Sequence, residues 1–116
     1  MSKQRAKGTR GENEIRDFLR PVFPGVARTG SDHSTEWGAA DLRETGRYAI
    51  EVKAWKDQMA AIREGWPQTL RNAAYSGHVP VLVVKTPRKS TAEAVVLMRL
   101  GGWRDLVHRA ERGDRP

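Results

Sequence analysis

Glu51 and Lys53 stand two residues apart in Tyr48-Ala49-Ile50-Glu51-Val52-Lys53-Ala54, and Asp41 lies ten positions upstream. Two carboxylates and an ammonium are the side chains that phosphate-ester hydrolysis uses. In a strand, side chains alternate between faces. Tyr48, Ile50 and Val52 would then point one way, and Ala49, Glu51 and Lys53 the other. A rise of about 3.3 Å per residue sets Glu51 and Lys53 roughly 6.6 Å apart. That separation suits a metal ligand and a cation serving one reacting phosphate.

Asp41 joins them if the pairing register is right. Ala39 to Glu44 reads as a strand, and Thr45-Gly46-Arg47 as a three-residue hairpin loop with Gly46 in the left-handed region. This register pairs Glu44 with Tyr48, Leu42 with Ile50 and Asp41 with Glu51. A two-residue loop would place Asp41 opposite Ile50 and mix the faces, which register rules disfavour. Two facing carboxylates repel unless a cation lies between them. Oxygen ligands of this kind suit Mg²⁺, which takes one or two carboxylates and fills its other positions with water and phosphate. Asp with Glu-x-Lys alone is equally compatible with a surface ion pair in a charged chain.

The surrounding elements must bring these residues together. Ile15, Phe18, Leu19, Val22 and Phe23 recur at the spacing of one helical face. They predict a helix over Thr9 to Phe23, with Thr9 and Glu12 as a capping box and Pro24-Gly25 as its stop. Val26 to Thr29 reads as a short strand, and Gly30 to Gly38 has loop composition. Asp57 to Ser76 reads as mainly helical, with Met59, Ile62, Trp66, Leu70 and Ala73 as its buried stripe. Gly65 and Pro67 are expected to break that helix, and Gly77 to end it. Val79 to Val84 is an apolar run typical of a strand buried on both faces. Pro87 and Ser90 mark a turn, Ala94 to Leu100 reads as a strand, and Gly101-Gly102 leads into a last helix through Trp103, Leu106 and Val107. The expected order is αβββαββα, a mixed α/β domain. A helix joins the Lys53 strand to the Val81 strand, which predicts a right-handed parallel crossover.

With 116 residues the chain suits one domain with a modest core. Residues 1–8 read as a basic arm on that domain. No apolar run approaches the roughly 20 residues that span a bilayer, and the basic start is not followed by the apolar stretch of a signal peptide. Without cysteine, disulfides and thiolate metal sites are excluded; this fits a cytoplasmic setting. A net charge of +7 favours an anionic partner, nucleic acid being the usual one. The N-terminal arm (Lys3, Arg5, Lys7, Arg10) is the densest basic stretch, and a solubilising tail is its other reading.

The motifs, taken in order, resemble the PD-(D/E)XK nuclease superfamily, and within it the archaeal-type Holliday-junction resolvases. Lys7-Gly8-Thr9-Arg10-Gly11-Glu12 is similar to the family's opening, where a Lys-Gly pair precedes a helical active-site Glu. Arg28-Thr29-Gly30-Ser31 resembles its Arg- and Ser-containing segment, and Glu51-Val52-Lys53 its Glu-x-Lys. Ala40-Asp41 stands where the family has Pro-Asp, and Gln68 resembles a Gln on the following helix.

The resemblance implies a restriction-endonuclease-like mixed sheet flanked by helices. It implies a metal-dependent DNA endonuclease that resolves four-way junctions as a homodimer, with Mg²⁺ as cofactor and Mn²⁺ able to substitute. Asp41, Glu51 and Glu12 would bind the metal, and Lys53 would position or activate the attacking water. Ser31 and Gln68 would complete the catalytic set. Lys3, Arg5, Lys7, Arg10, Arg28 and Lys56 are the expected DNA contacts. Each has a plainer reading too: Glu12 as a carboxylate favoured by the helix dipole, Ser31 as a turn former, Gln68 as a solvent-facing helix residue and His33 as a solvated loop histidine. Trp66 and Trp103 fit helix core stripes, whereas Trp37 and Trp55 border the site and are open to stacking on bases. Two other functions fit the same residues: a superfamily nuclease acting on duplex or flapped DNA, and a non-catalytic basic nucleic-acid-binding module.

Overall fold

Tyr48–Lys53 and Val79–Val84 lie side by side as parallel strands, with Glu51 beside Leu82 and Lys53 beside Val84. The computed structural model in which they are seen describes residues 3–30 and 36–113, with side chains from residue 8 onward. In chain order the elements are α1 (Lys3–Leu19), β1 (Ala27–Arg28), β2 (Leu42–Arg43), β3 (Tyr48–Lys53), α2 (Gln58–Ser76), β4 (Val79–Val84), β5 (Val95–Leu97) and α3 (Leu100–Glu111). The αβββαββα order and the parallel connection through α2 agree with expectation. β4 is central in a mixed sheet of order β3-β4-β5, with β5 antiparallel, while β1 and β2 pair separately.

β3 divides the core as its alternation requires. Tyr48, Ile50 and Val52 join Ile15, Val26, Leu42, Val81 and Val83 in one apolar cluster, onto which Leu19, Phe23 and Leu106 pack. On the opposite face Ala49 meets Trp37, Ala40 and Ala73, while Leu82 and Val84 meet Ala61. One face thus holds a single large apolar cluster, and the other, beneath α2, holds two smaller ones.

α1 starts six residues before the expected Thr9 and ends four before Phe23. Lys, Gln, Arg and Ala are strong helix formers, so residues 3–8, read as an arm, form the first turns of α1, and Thr9 and Glu12 lie inside the helix rather than at its cap. Pro21 disfavours helical geometry at Arg20. The chain leaves through a turn in which Val22 and Phe23 N–H both donate to the Leu19 carbonyl, at 2.9 and 2.8 Å.

The expected break in α2 does not occur. Asp57 caps the helix by accepting the Ala60 N–H, and Gly77 closes it at φ 76° with its N–H on the Ala73 carbonyl. The buried ridge is Ala61, Gly65, Thr69 and Ala73, not the larger residues expected; Met59 is 66% exposed. A Cβ on Gly65 would lie 3.1 Å from both Leu82 Cδ1 and Lys53 Cγ. Gly65 therefore lets the helix settle against the strands, and that packing outweighs its low helix propensity. Pro67 is exposed on the outer side, where an unpaired carbonyl can meet water.

The hairpin register differs from expectation while its faces agree. Asp41 N–H donates to the Ile50 carbonyl at 3.1 Å, and β2 forms its ladder with β1 instead of β3. Glu44 and Gly46 both take positive φ, 61° and 62°, which turns the chain away from a regular ladder. Towards the C-terminus, β5 is shorter than Ala94–Leu100, and Gly101 and Gly102 lie within α3. Trp103, expected in a core stripe, is 55% exposed. No helix among the described residues is long and apolar enough to cross a membrane.

Candidate active site

The carboxyl groups of Asp41 and Glu51 meet on the face beneath α2 and hydrogen-bond each other. Asp41 reaches there from the entrance of β2. Its Oδ2 accepts the Val52 N–H at 2.8 Å, so a side chain occupies the main-chain donor that a hairpin partner would have used. That substitution accounts for the loosened register. Glu51 is 1% exposed, and its Oε1 accepts a hydrogen bond from Asn72 Nδ2 on α2. Strand alternation puts Glu51 beneath the helix, and the small ridge of α2 brings Asn72 down to it.

Burial pushes the Glu51 carboxyl up to about 9; the Asp41 charge adds to the shift, and Asn72 and Lys53 oppose it. Burial also raises Asp41, against the Val52 N–H, the Glu51 hydrogen bond, Lys53 and Arg28. In their hydrogen bond Glu51, the more strongly raised of the two, is the donor and Asp41 the acceptor. Two buried carboxyls held together in this way lack one positive charge, which a proton or a divalent cation can supply.

Lys53 lies on the same face as Glu51, with its Nζ 5.4 Å from the Trp55 ring centroid. Glu12 approaches from α1. Burial raises its pKa and the Asp41 charge adds to this, while Arg28 lowers it. The Arg28 guanidinium lies 3.5 Å from Glu12 Oε2. Glu12, Asp41, Glu51 and Lys53 therefore come from three separate segments into one electrostatic neighbourhood. Among the described residues no group of three or more His, Cys, Asp or Glu is gathered to hold a metal. The hard-oxygen pair of Asp41 and Glu51 nonetheless fits Mg²⁺, which needs no more than two carboxylates. Glu12 instead directs its carboxylate to Arg28.

Other expected site residues fall differently. Gln68 is half-buried one turn before Asn72 and makes no hydrogen bond among the described residues. Asn72 takes the carboxylate contact, and sequence reasoning missed it. Its signal was the i+4 spacing from Gln68, next to buried Ala73. Arg10 and Lys56 are exposed. Ser31 and His33 lie outside the described residues, as do the side chains of Lys3, Arg5 and Lys7. Trp37, expected to be open to bases, is instead buried and stacked on His78 with ring centroids 5.3 Å apart. Trp55 is half-buried beside Lys53.

Comparison with protein-family models, with characterised proteins and with solved structures finds no match to this chain.

Proposed function

We propose that the protein is a metal-dependent DNA endonuclease that hydrolyses phosphodiester bonds, with four-way junctions as its preferred substrate. The observation that carries this reading is the pairing of buried Glu51 with Asp41, each oriented by its own hydrogen bond from Asn72 or the Val52 N–H, on the strand face that bears Lys53. The motif resemblance, which includes these residues together with residues 7–12, residues 28–31 and Gln68, points the same way. It extends the reading to a restriction-endonuclease-like arrangement and to a homodimer, whose two-fold symmetry suits the near-symmetry of a junction.

Asp41 and Glu51 would hold Mg²⁺, which when bound supplies charge neutralisation and a water acidic enough to attack at neutral pH. Asn72 fixes the Glu51 rotamer, and the Val52 N–H fixes Asp41, so both oxygens are positioned in advance. The Lys53 ammonium offsets charge building on the non-bridging phosphate oxygens. Arg28 holds Glu12 beside the pair.

The test is cleavage of a synthetic four-way junction with and without Mg²⁺, with linear and flapped duplexes as competitors and Glu51→Gln as control. Metal-dependent junction cleavage, lost in the variant, is the expected result. Equal rates on linear duplex would move the preference to duplex DNA. Undiminished cleavage by Glu51→Gln would remove this site from the reaction.

A further inference from the structure

A second feature adjoins the carboxyl pair without sharing its residues. A cleft of about 270 Å³ opens between α1 and the segment joining β4 to β5, lined by Arg10, Gly11, Glu14, Ala54, Lys85 and Arg88 among others. Three cations face one carboxylate there. Arg10 and Arg88 are exposed and take no ion pair among the described residues. Lys85 is different: its side chain is 7% exposed and its Nζ lies 3.3 Å from Glu14 Oε2.

The buried Lys85 ammonium organises the loop. It donates to the Thr86 carbonyl at 3.2 Å and to the Lys89 carbonyl at 2.6 Å, so it grips both ends of the turn that carries Arg88. Arg88 sits at φ 71°, a left-handed conformation that is strained for a non-glycine residue. A glycine or asparagine would relieve that strain, yet the position carries an arginine that lines the cleft. The opposite wall is equally specific. A Cβ on Gly11 would lie 2.6 Å from Ala54 Cβ, so only glycine lets the segment of α1 that carries Arg10 approach Ala54 this closely. The Lys85 N–H donates to the Lys53 carbonyl at 2.9 Å, and Ala54 directly follows Lys53, which ties the cleft to the strand bearing the catalytic lysine.

We propose that this cleft binds a backbone phosphate flanking the one that is cleaved, with Arg10 and Arg88 as its ligands. The inference rests on the nuclease reading and adds the site that sets where the strand lies relative to Lys53. Guanidinium groups suit the task because their planar fork matches phosphate oxygens.

The experiment measures binding of a labelled four-way junction by fluorescence anisotropy between 50 and 300 mM salt, without divalent metal, followed by Mg²⁺-dependent cleavage. Arg10→Ala/Arg88→Gly is compared with wild type and with Arg71→Ala, an exposed arginine on α2. One phosphate contact contributes about 0.9 to the slope of log K against log salt, equal to about a five- to tenfold loss of affinity near 0.1 M salt. The double variant should show that loss, and Arg71→Ala should not. Arg88→Gly relieves the left-handed strain, so an unchanged or raised melting temperature excludes misfolding as the cause. Wild-type slope and affinity in the double variant, or an equal loss in Arg71→Ala, would overturn the cleft alone. Loss of binding in the double variant, with no cleavage by wild type, would uphold the cleft and overturn hydrolysis. Failure of wild type to bind DNA would overturn both.

Discussion

The two faces of β3 are made by alternate residues of one hexapeptide, yet they do opposite work. Tyr48, Ile50 and Val52 bury large apolar groups against Ile15, Leu42, Val81 and Val83, and this burial stabilises the fold. Ala49, Glu51 and Lys53 lie under the small ridge of α2, where Glu51 and Asp41 are held in conditions that raise both their pKa values. Desolvated carboxyls cost stability. The apolar face offsets that cost, and β3 can therefore hold Glu51 against Asp41 without unfolding.

This contrast is broken most severely by exchanging chemistry on one face and volume on the other. Glu51→Gln keeps the shape, can still accept from Asn72, and donates to Asp41 as the protonated acid does. It should lower junction cleavage by about a thousandfold, the scale for losing one preorganised electrostatic group, with no loss of melting temperature at pH 8. Ile50→Ala should do the reverse. Emptying that site is expected to cost about 2–5 kcal/mol, read by urea denaturation, while residual folded protein still cleaves. If Glu51→Gln unfolded the protein as Ile50→Ala does, the division of labour between the faces would not stand.

Gly11→Ala tests where the faces meet. Its new Cβ would be driven into the Ala54 Cβ, 2.6 Å away, with Val52 Cγ1 also close at 3.8 Å. The expected destabilisation is about 1–3 kcal/mol, with a fall in cleavage because Glu12 and Arg10 flank the displaced residue. A melting temperature unchanged by this substitution would show that α1 is free to move away from the strand.

How far these features could be read in advance depended on the range of the interactions that fix them. The β3 alternation and the apolar β4 are local patterns, and both stand as expected. The grouping of Asp41 with Glu51 followed from keeping Leu42 and Ile50 on one face. The hairpin ladder did not follow, because the Asp41 side chain competes for the Val52 N–H, and main-chain pairing rules take no account of that. In α2, hydrophobicity pointed to Met59 and Leu70. The buried ridge is set instead by how closely the helix must approach Leu82 and Lys53, a distance visible only in three dimensions. Asn72 was missed for the same reason. Trp37 and Trp103 exchanged their expected environments, since neither has a periodic neighbourhood strong enough to place it.

The smallest predicted effect is the most direct probe of the carboxyl pair, because it reads the raised pKa of Glu51 through stability. Glu51 has an ordinary pKa of 4.5 and is pushed up to about 9 in the fold. Below 4.5 it is protonated in both folded and unfolded chains, so burial carries no charge penalty. Between the two values the folded state keeps a proton that the unfolded state has lost, and stability falls as pH rises, by at most about 1.4 kcal/mol per pH unit for one proton. Asp41 and Glu12, also raised, act in the same direction. Asp17 and Asp105, lowered by Arg16 and Arg109 at the surface, act the other way, but only as pH falls towards and below their ordinary 3.8. In the absence of metal the wild-type melting temperature should therefore decline from pH 6 to pH 9, and Glu51→Gln should flatten the decline. Mg²⁺ should restore stability more at pH 8.5 than at pH 6 in wild type, because the ion competes with the proton for the same oxygens, and should do much less in the variant. A wild-type curve that rises across this range would mean that the two carboxyls are not held together, and the metal-binding reading would lose its basis.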